Sequence, residues 1–228
     1  MKIKAAGDRG LLVELGETIH ESINRKVMEL DRKISAGNLE GITETVPSFC
    51  SVLVCYDPLL TDYESLKRQI EELLKTVKEG ETSVGKIVEI PVCYGGELGP
   101  DLSFVAEHSK CQEREVIRIH SERDYRIYML GFLPGFPYLG GLDERIHTPR
   151  LAVPRKQIPA GSVGIGGEQT GIYPIESPGG WQLIGRTPYK LFDPDRLKEP
   201  LYKAGDAIRF IPITMREYNS IIRKQEMR

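Results

Sequence analysis

The sequence predicts an α+β protein in two parts: strands and amphipathic helices first, then a glycine- and proline-rich β barrel. Three observations carry this. Two segments before Gly80 space apolar side chains at helical intervals between strand-like stretches. From Gly131 to Lys190, 12 glycines and 8 prolines fall within 60 residues, yet Phe132, Phe136, Tyr138, Tyr173, Trp181 and Tyr189 are spread among them. Finally, 228 residues suffice for one large or two small domains with a buried core.

Lys2–Ala6 and Leu11–Leu15 read as short strands around a Gly7–Gly10 turn. A helix follows with Ile19, Ile23, Val27, Leu30 and Ile34 on one face, a Thr18/Glu21 capping box and Gly37 as a left-handed stop. Gly41–Val46 and Ser51–Tyr56 read as strands joined at Pro47-Ser48. A second helix is expected from Asp62 to Glu79, capped by Thr61 and Glu64, with Leu66, Ile70, Leu73, Leu74 and Val77 inward and Gly80 at its end. Lys86–Val92 supplies a further strand. The order strand, helix, strand, strand, helix, strand is ferredoxin-like, and the domain boundary falls between residues 84 and 85. Short helices are expected after Gly99-Pro100, with Leu102, Val105 and Ala106 on one side, and over Gln112–His120.

The Gly/Pro-rich stretch reads as tight ordered loops, because aromatic burial offsets the entropy of ordering and disordered segments lack it. Strands are expected at Ser162–Ile165, Ile172–Glu176, Trp181–Gly185 and Ala207–Ile213, and a last helix is capped by Thr214 and Glu217. More than 70 residues without a helix suggest a compact barrel.

Composition excludes several classes. Lys+Arg of 31 against Asp+Glu of 33 gives a net charge of −2, so the chain is no broadly basic nucleic-acid binder. No apolar run reaches membrane-span length, and the basic N-terminus lacks the apolar stretch of a signal peptide. Cys50, Cys55, Cys93 and Cys111 form no Cys-x-x-Cys pair, so free thiols, a cytoplasmic location and no metal site are expected. His20, His108 and His120 lack a second ligand at a fixed offset.

Among the barrel loops, Arg150, Arg155 and Arg186 are candidates to hold a carboxylate or phosphate together; the alternative is surface arginines or loop braces. Gly164-Ile165-Gly166-Gly167 is too short and wrongly placed for a dinucleotide fingerprint. Ser177 with His147 has the residue types of a nucleophile and base, but no acid to orient the histidine can be named, and a rigid Ser177–Trp181 turn is the stronger reading.

The run Tyr128-Met129-Leu130-Gly131-Phe132-Leu133-Pro134-Gly135-Phe136-Pro137-Tyr138-Leu139-Gly140-Gly141-Leu142 resembles a signature of the family of 5-oxoprolinase B components, also called kinase A inhibitor-like or allophanate hydrolase subunit 1. Further matches follow in order: Pro149-Arg150, Val153-Pro154-Arg155, Pro159–Gly164, Gln169–Pro174, Ser177–Trp181 and Ile184–Pro188. Tyr94–Glu97 and Gly99–Leu102 agree as well. Gly166 departs slightly, since alanine is commoner there.

The resemblance implies a small α/β N-terminal domain and a cyclophilin-like β-barrel domain. It implies one component of an ATP-dependent 5-oxoprolinase that opens 5-oxo-L-proline to L-glutamate, inactive alone and acting with the 5-oxoprolinase A and C components. ATP with Mg would be shared with those partners. Under it, Arg150, Arg155 and Arg186 would stabilise developing phosphate charge. Gln169, Ser177, Gly179, Gly180, Trp181 and Thr187 would bind substrate or nucleotide, and Phe132, Pro134, Phe136 and Tyr138 would face a partner. Two alternatives accompany it: an inhibitor that binds a sporulation sensor histidine kinase, and half of a urea-carboxylase-type carboxyltransferase, for which biotin would be expected.

Overall fold

The structure is a computed structural model that describes residues 1–77, 85–196 and 200–226. It divides into two compact units, residues 1–84 and 85–228.

In the first unit, strands β1 (Lys2–Ala5) and β2 (Gly10–Glu14) form a hairpin. Helix α1 (Glu21–Gly37) leads to a second hairpin, β3 (Ile42–Pro47) with β4 (Ser51–Tyr56), and helix α2 (Tyr63–Lys75) follows. The four strands lie in the order β1-β2-β4-β3, all antiparallel. This is the ferredoxin-like sheet with one exchange. The place expected for a strand after the second helix is taken by β1. The expected closing strand, at Lys86–Val92, instead belongs to the barrel. A β1–β2 hairpin needs only a tight turn and pairs at once with its neighbour, which accounts for the exchange.

Strand β4 alternates Val52, Val54 and Tyr56 inward, and the helices bring Val27, Leu30, Ile34, Leu66 and Ile70 into the same aliphatic cluster. Ile19 lies outside it and is exposed. Asn24, fully buried, ties α1 to the second hairpin through bonds from Nδ2 to the carbonyls of Ser48 and Phe49. The helix ends differ from expectation. His20, not Thr18, caps α1 by accepting from Ser22 N–H, and Asn38 rather than Gly37 takes the left-handed φ of 43°. Asp62, not Thr61, caps α2 by accepting from Ser65 N–H, and that helix stops at Lys75. In both N-caps the side-chain acceptor sits one or two residues closer to the helix than the box motif placed it. Glu79 and Gly80 lie outside the described residues.

In the second unit, β5 (Ile87–Tyr94) precedes helices α3 (Leu102–His108) and α4 (Glu113–Ser121). Then come β6 (Asp124–Leu130), β7 (Pro137–Gly140), β8 (Arg155–Ile158), β9 (Ser162–Gly166), β10 (Gln169–Ile172), β11 (Ser177–Gly179), β12 (Gln182–Arg186), β13 (Ala207–Pro212) and helix α5 (Met215–Glu226). Seven strands close a barrel in the order β10-β7-β6-β13-β5-β12-β9, while β8 and β11 form a separate ribbon. Among the described strands only β5 and β13 pair in parallel. The strand expected at Ile172–Glu176 is displaced: β10 ends at Ile172, because it pairs back on β9 through the Gly167 turn, where φ is +67°. The Thr214–Glu217 box is present, with Thr214 N–H donating to Glu217 Oε2 and Glu217 N–H to Thr214 Oγ1. Ile90, Val92, Ile127, Ile165, Ile184, Ile208 and Phe210 fill the barrel, and α3 and α4 add Leu102, Val105, Val116 and Ile119 to the same cluster. Among the described residues no helix is long and apolar enough to cross a membrane. All four cysteines are free thiols.

Candidate functional site

Trp181, just before β12, is 5% exposed and anchors a second, aromatic cluster with Phe136, Ile158, Tyr173 and Leu183. Phe136 and Tyr173 meet its ring edge-on at 5.7 and 6.3 Å. The indole lies on β9 and β10, where the glycines make room. A Cβ on Gly166 would fall on the indole, and one on Gly171 would lie 3.0 Å from its ring. Gly164, Gly166 and Gly171 are thus the bed of the tryptophan, and Gly166 departs from alanine for want of space.

Over this floor lies an open hollow of about 130 Å³, lined by Phe132, Phe136, Tyr138, Arg150, Tyr173, Gly179, Gly180 and Trp181. The loop carrying Arg150 is fixed on both sides. Gln182 Nε2 donates to Pro149 O at 2.9 Å, and Leu151 N–H donates to Gly180 O at 2.7 Å. The Arg150 guanidinium sits 5.8 Å from the centre of the Trp181 ring and makes no ion pair among the described residues.

The three candidate arginines have different surroundings. Arg155 is already matched: it donates to Asp101 Oδ1 at 2.7 Å, and Asp101 Oδ2 accepts from Leu183 N–H. Its other contact is the Trp181 carbonyl at 3.4 Å. Arg186 lies at the far end of β12 from Trp181, hydrogen-bonded to Tyr218 on α5, with its Nε buried and without a partner. One of the three, Arg150, therefore faces the hollow.

Gly179 and Gly180 line the hollow with Trp181, and a Cβ on Gly179 would collide with Tyr173 and Ile158. Ser177 pairs with Ile158 in the ribbon and its Oγ is buried without a partner. Thr187 is buried in a turn, accepting from Tyr189 N–H, and Gln169 pairs across the β9–β10 hairpin with Gly166. His147 bonds to the Leu142 carbonyl, an engagement separate from the Ser177 ribbon. Of the four aromatic and proline candidates at the rim, Phe132 and Pro134 are exposed and Tyr138 is half-buried, but Phe136 is 2% exposed and belongs to the floor.

Residue periodicity gave no hint of a polar chain inside the barrel. His120 is fully buried, stacked on Phe210 at 4.5 Å. Thr170 Oγ1 donates its proton to Gly164 O, so it accepts from His120 Nε2, and Tyr94 Oη donates to His120 Nδ1. Burial pushes the imidazole down to about 3, so it stays neutral. At the surface, Arg145 bonds hold the Asp143 carboxyl far below the usual range, aided by Arg123. Burial raises Tyr173, partly offset by the Trp181 backbone and by the charges of Arg150 and Arg155.

Among the described residues, the hollow offers one free cation, a flat aromatic floor and close glycine backbone. None of its lining side chains is a carboxylate, imidazole or amine. Among the described residues, no three His, Cys, Asp or Glu side chains gather as a metal site. A magnesium nucleotide would find here at most one cationic contact, with its metal ligands supplied from elsewhere.

Residues 1–202 match the family described as carboxyltransferase domain, subdomains C and D. The chain is 44% identical to the 5-oxoprolinase B component of Bacillus subtilis over 229 residues, covering 96% of this chain and 95% of that protein. A conserved uncharacterised protein of Pyrococcus horikoshii is 48% identical with a TM-score of 0.58, over 95% of this chain and all of the other. A longer solved chain, 36% identical with a TM-score of 0.79, matches 90% of this chain, which spans only 40% of its length. The urea carboxylase of Kluyveromyces lactis shares the fold, with a TM-score of 0.77 at 23% identity over 22% of its own length.

Proposed function

Because the chain belongs to the carboxyltransferase-domain family, subdomains C and D, we propose that it is the B component of an ATP-dependent 5-oxoprolinase that works only with the A and C components. The name of the Bacillus subtilis relative, matched over 95% of its own length at 44% identity, supports the reaction. The same fold also occurs as two fifths of a longer chain.

The observation that carries the reading is the incompleteness of the hollow. It has no acid, base or phosphate cradle among its lining side chains. A five-membered lactam is a poor electrophile. Transfer of the γ-phosphoryl group of ATP to the lactam oxygen makes C5 reactive. One water then adds at C5 as the C5–N bond breaks and the nitrogen takes a proton, and a second water releases phosphate. The phosphoryl transfer demands several cations or N–H donors, and one arginine does not supply them. The nucleotide with its Mg is therefore assigned to the partner side, with Phe132 and Pro134 at the rim that the partner closes.

The test is glutamate release from 5-oxo-L-proline and ATP by the chain alone, and by the chain with its candidate A and C components. Turnover only in the mixture is expected. Full-rate turnover by the chain alone, or none in the assembled mixture, would overturn the reading.

A further inference from the structure

We propose that the hollow is a subsite for a small, singly charged carboxylate with a flat body, gripped by Arg150 and covered by Phe132. It rests on the lactam-opening reading above, whose substrate has that chemistry, and it assigns the non-reacting end of the substrate to this chain.

Charge selects the class. Among the described residues Arg150 is the one charged side chain lining the hollow, and Arg155 nearby is neutralised by Asp101. A single guanidinium matches one carboxylate, which it binds through two parallel N–H bonds. A phosphate with two charges, or a triphosphate with more, would remain uncompensated. Size limits the ligand: the space inside the hollow is about 130 Å³, room for a small molecule and too little for a nucleotide. Position agrees as well: Gln182 and Gly180 hold the peptide on either side of Arg150, so the backbone from which its guanidinium reaches over Trp181 is set before any ligand arrives.

Phe132 supplies the cover. Leu133 N–H donates to Gly131 O at 2.7 Å, closing a three-residue turn around Phe132 with φ at +63°. This is the rare, strained form of the γ-turn. A phenylalanine held in left-handed backbone and 63% exposed has only its edge-on contact with Phe136 to set against the strain that glycine would avoid. The turn is braced by Gly131 N–H to Phe136 O and by Tyr202 Oη to Gly135 O, and it sets the Phe132 ring edge-on to Phe136, 5.8 Å away, at the rim. A planar ring lying over Trp181 would be enclosed between this side chain and the floor, with its carboxylate at Arg150.

Trp181 is the only tryptophan, so its emission reports occupancy directly. The full-length chain is titrated with 5-oxo-L-proline, 2-pyrrolidone (the same ring without the carboxylate), inorganic phosphate and ATP. A saturable change is expected with 5-oxo-L-proline and at least about tenfold weaker binding of 2-pyrrolidone, the worth of one charge-assisted pair. Arg150→Gln should weaken 5-oxo-L-proline about tenfold, and Phe132→Gly should weaken it severalfold while circular dichroism stays unchanged. No saturable response to 5-oxo-L-proline, equal binding of 2-pyrrolidone, or a response to phosphate or ATP that depends on Arg150 would each overturn the proposal. The assembled complex separates the two readings. If it makes glutamate with a KM for 5-oxo-L-proline untouched by Arg150→Gln, the subsite falls and the 5-oxoprolinase reading stands. If it makes none while the chain still binds the carboxylate through Arg150, the 5-oxoprolinase reading falls and the subsite stands.

Discussion

The N-terminal unit closes its sheet with aliphatic side chains from two helices, whereas the barrel unit lays aromatic rings on a bed of glycines and leaves a hollow above them. The first arrangement is self-sufficient. Its cluster is sealed, and charges such as Arg25–Glu21 and Arg32–Glu29 pair along one helix face, where such pairs contribute little. The second uses its glycines for close approach and its prolines for stiff loops, and it ends with an arginine that has a ring beneath it and no acid paired with it among the described residues. The difference teaches where to look for function: at the polar group a rigid scaffold positions and does not satisfy.

The strongest way to break this comparison is to empty each cluster in turn. Leu30→Ala, in the N-terminal cluster, and Phe136→Ala, in the aromatic floor, should each cost about 2–5 kcal/mol in denaturant unfolding. Leu30→Ala should leave Trp181 emission in native buffer unchanged and Phe136→Ala should shift it. A shift from both would mean that the two clusters are not separate.

Arg155→Ala sharpens the contrast between the paired and the free arginine. It strands the Asp101 carboxylate, which keeps only Leu183 N–H, so a loss of about 1–3 kcal/mol is expected by thermal unfolding. Arg150→Gln should change stability by less than about 1 kcal/mol, since the exposed side chain has no acid partner among the described residues and loses only its contact with the Trp181 ring. Equal losses would erase the distinction on which the site rests.

The last expected effect is a slope. The folded His120 resists protonation down to about 3, while the unfolded chain takes up a proton near pH 6.5. Between about pH 6 and 4.5 the unfolded state therefore binds more protons, and stability falls as pH falls, by at most about 1.4 kcal/mol per pH unit. His120→Asn should remove that one-proton slope whatever it does to stability at pH 7. An unchanged slope would mean that another group carries it.

Much of this was legible in advance. The Thr214/Glu217 box marked α5, and periodicity found α1, α2 and the apolar side of α3, since a helix that covers a core must repeat its apolar residues every three or four positions. It missed the exchange of the closing strand, because strand pairing is decided by neighbours far along the chain, and it placed the caps of α1 and α2 one or two residues early, because several acceptors compete at a helix start. For the site, the Gly/Pro/aromatic texture marked the right stretch. It did not separate Arg150 from Arg155, which turns on an aspartate 54 residues away in sequence, nor Phe136 from Phe132, which turns on one left-handed residue. Nor did it show that Gly164, Gly166 and Gly171 answer to the single tryptophan.

Amide hydrogen exchange, followed on the chain alone and again with its candidate A and C components, bears most directly on the claim that a stiff barrel holds a binding half-site. The account predicts that β9, β10 and β12 are protected in the isolated chain, and that segments 131–135 and 149–153 gain protection only in the mixture. Rapid exchange across β9, β10 and β12 in the isolated chain, or rim segments indifferent to the added components, would contradict it.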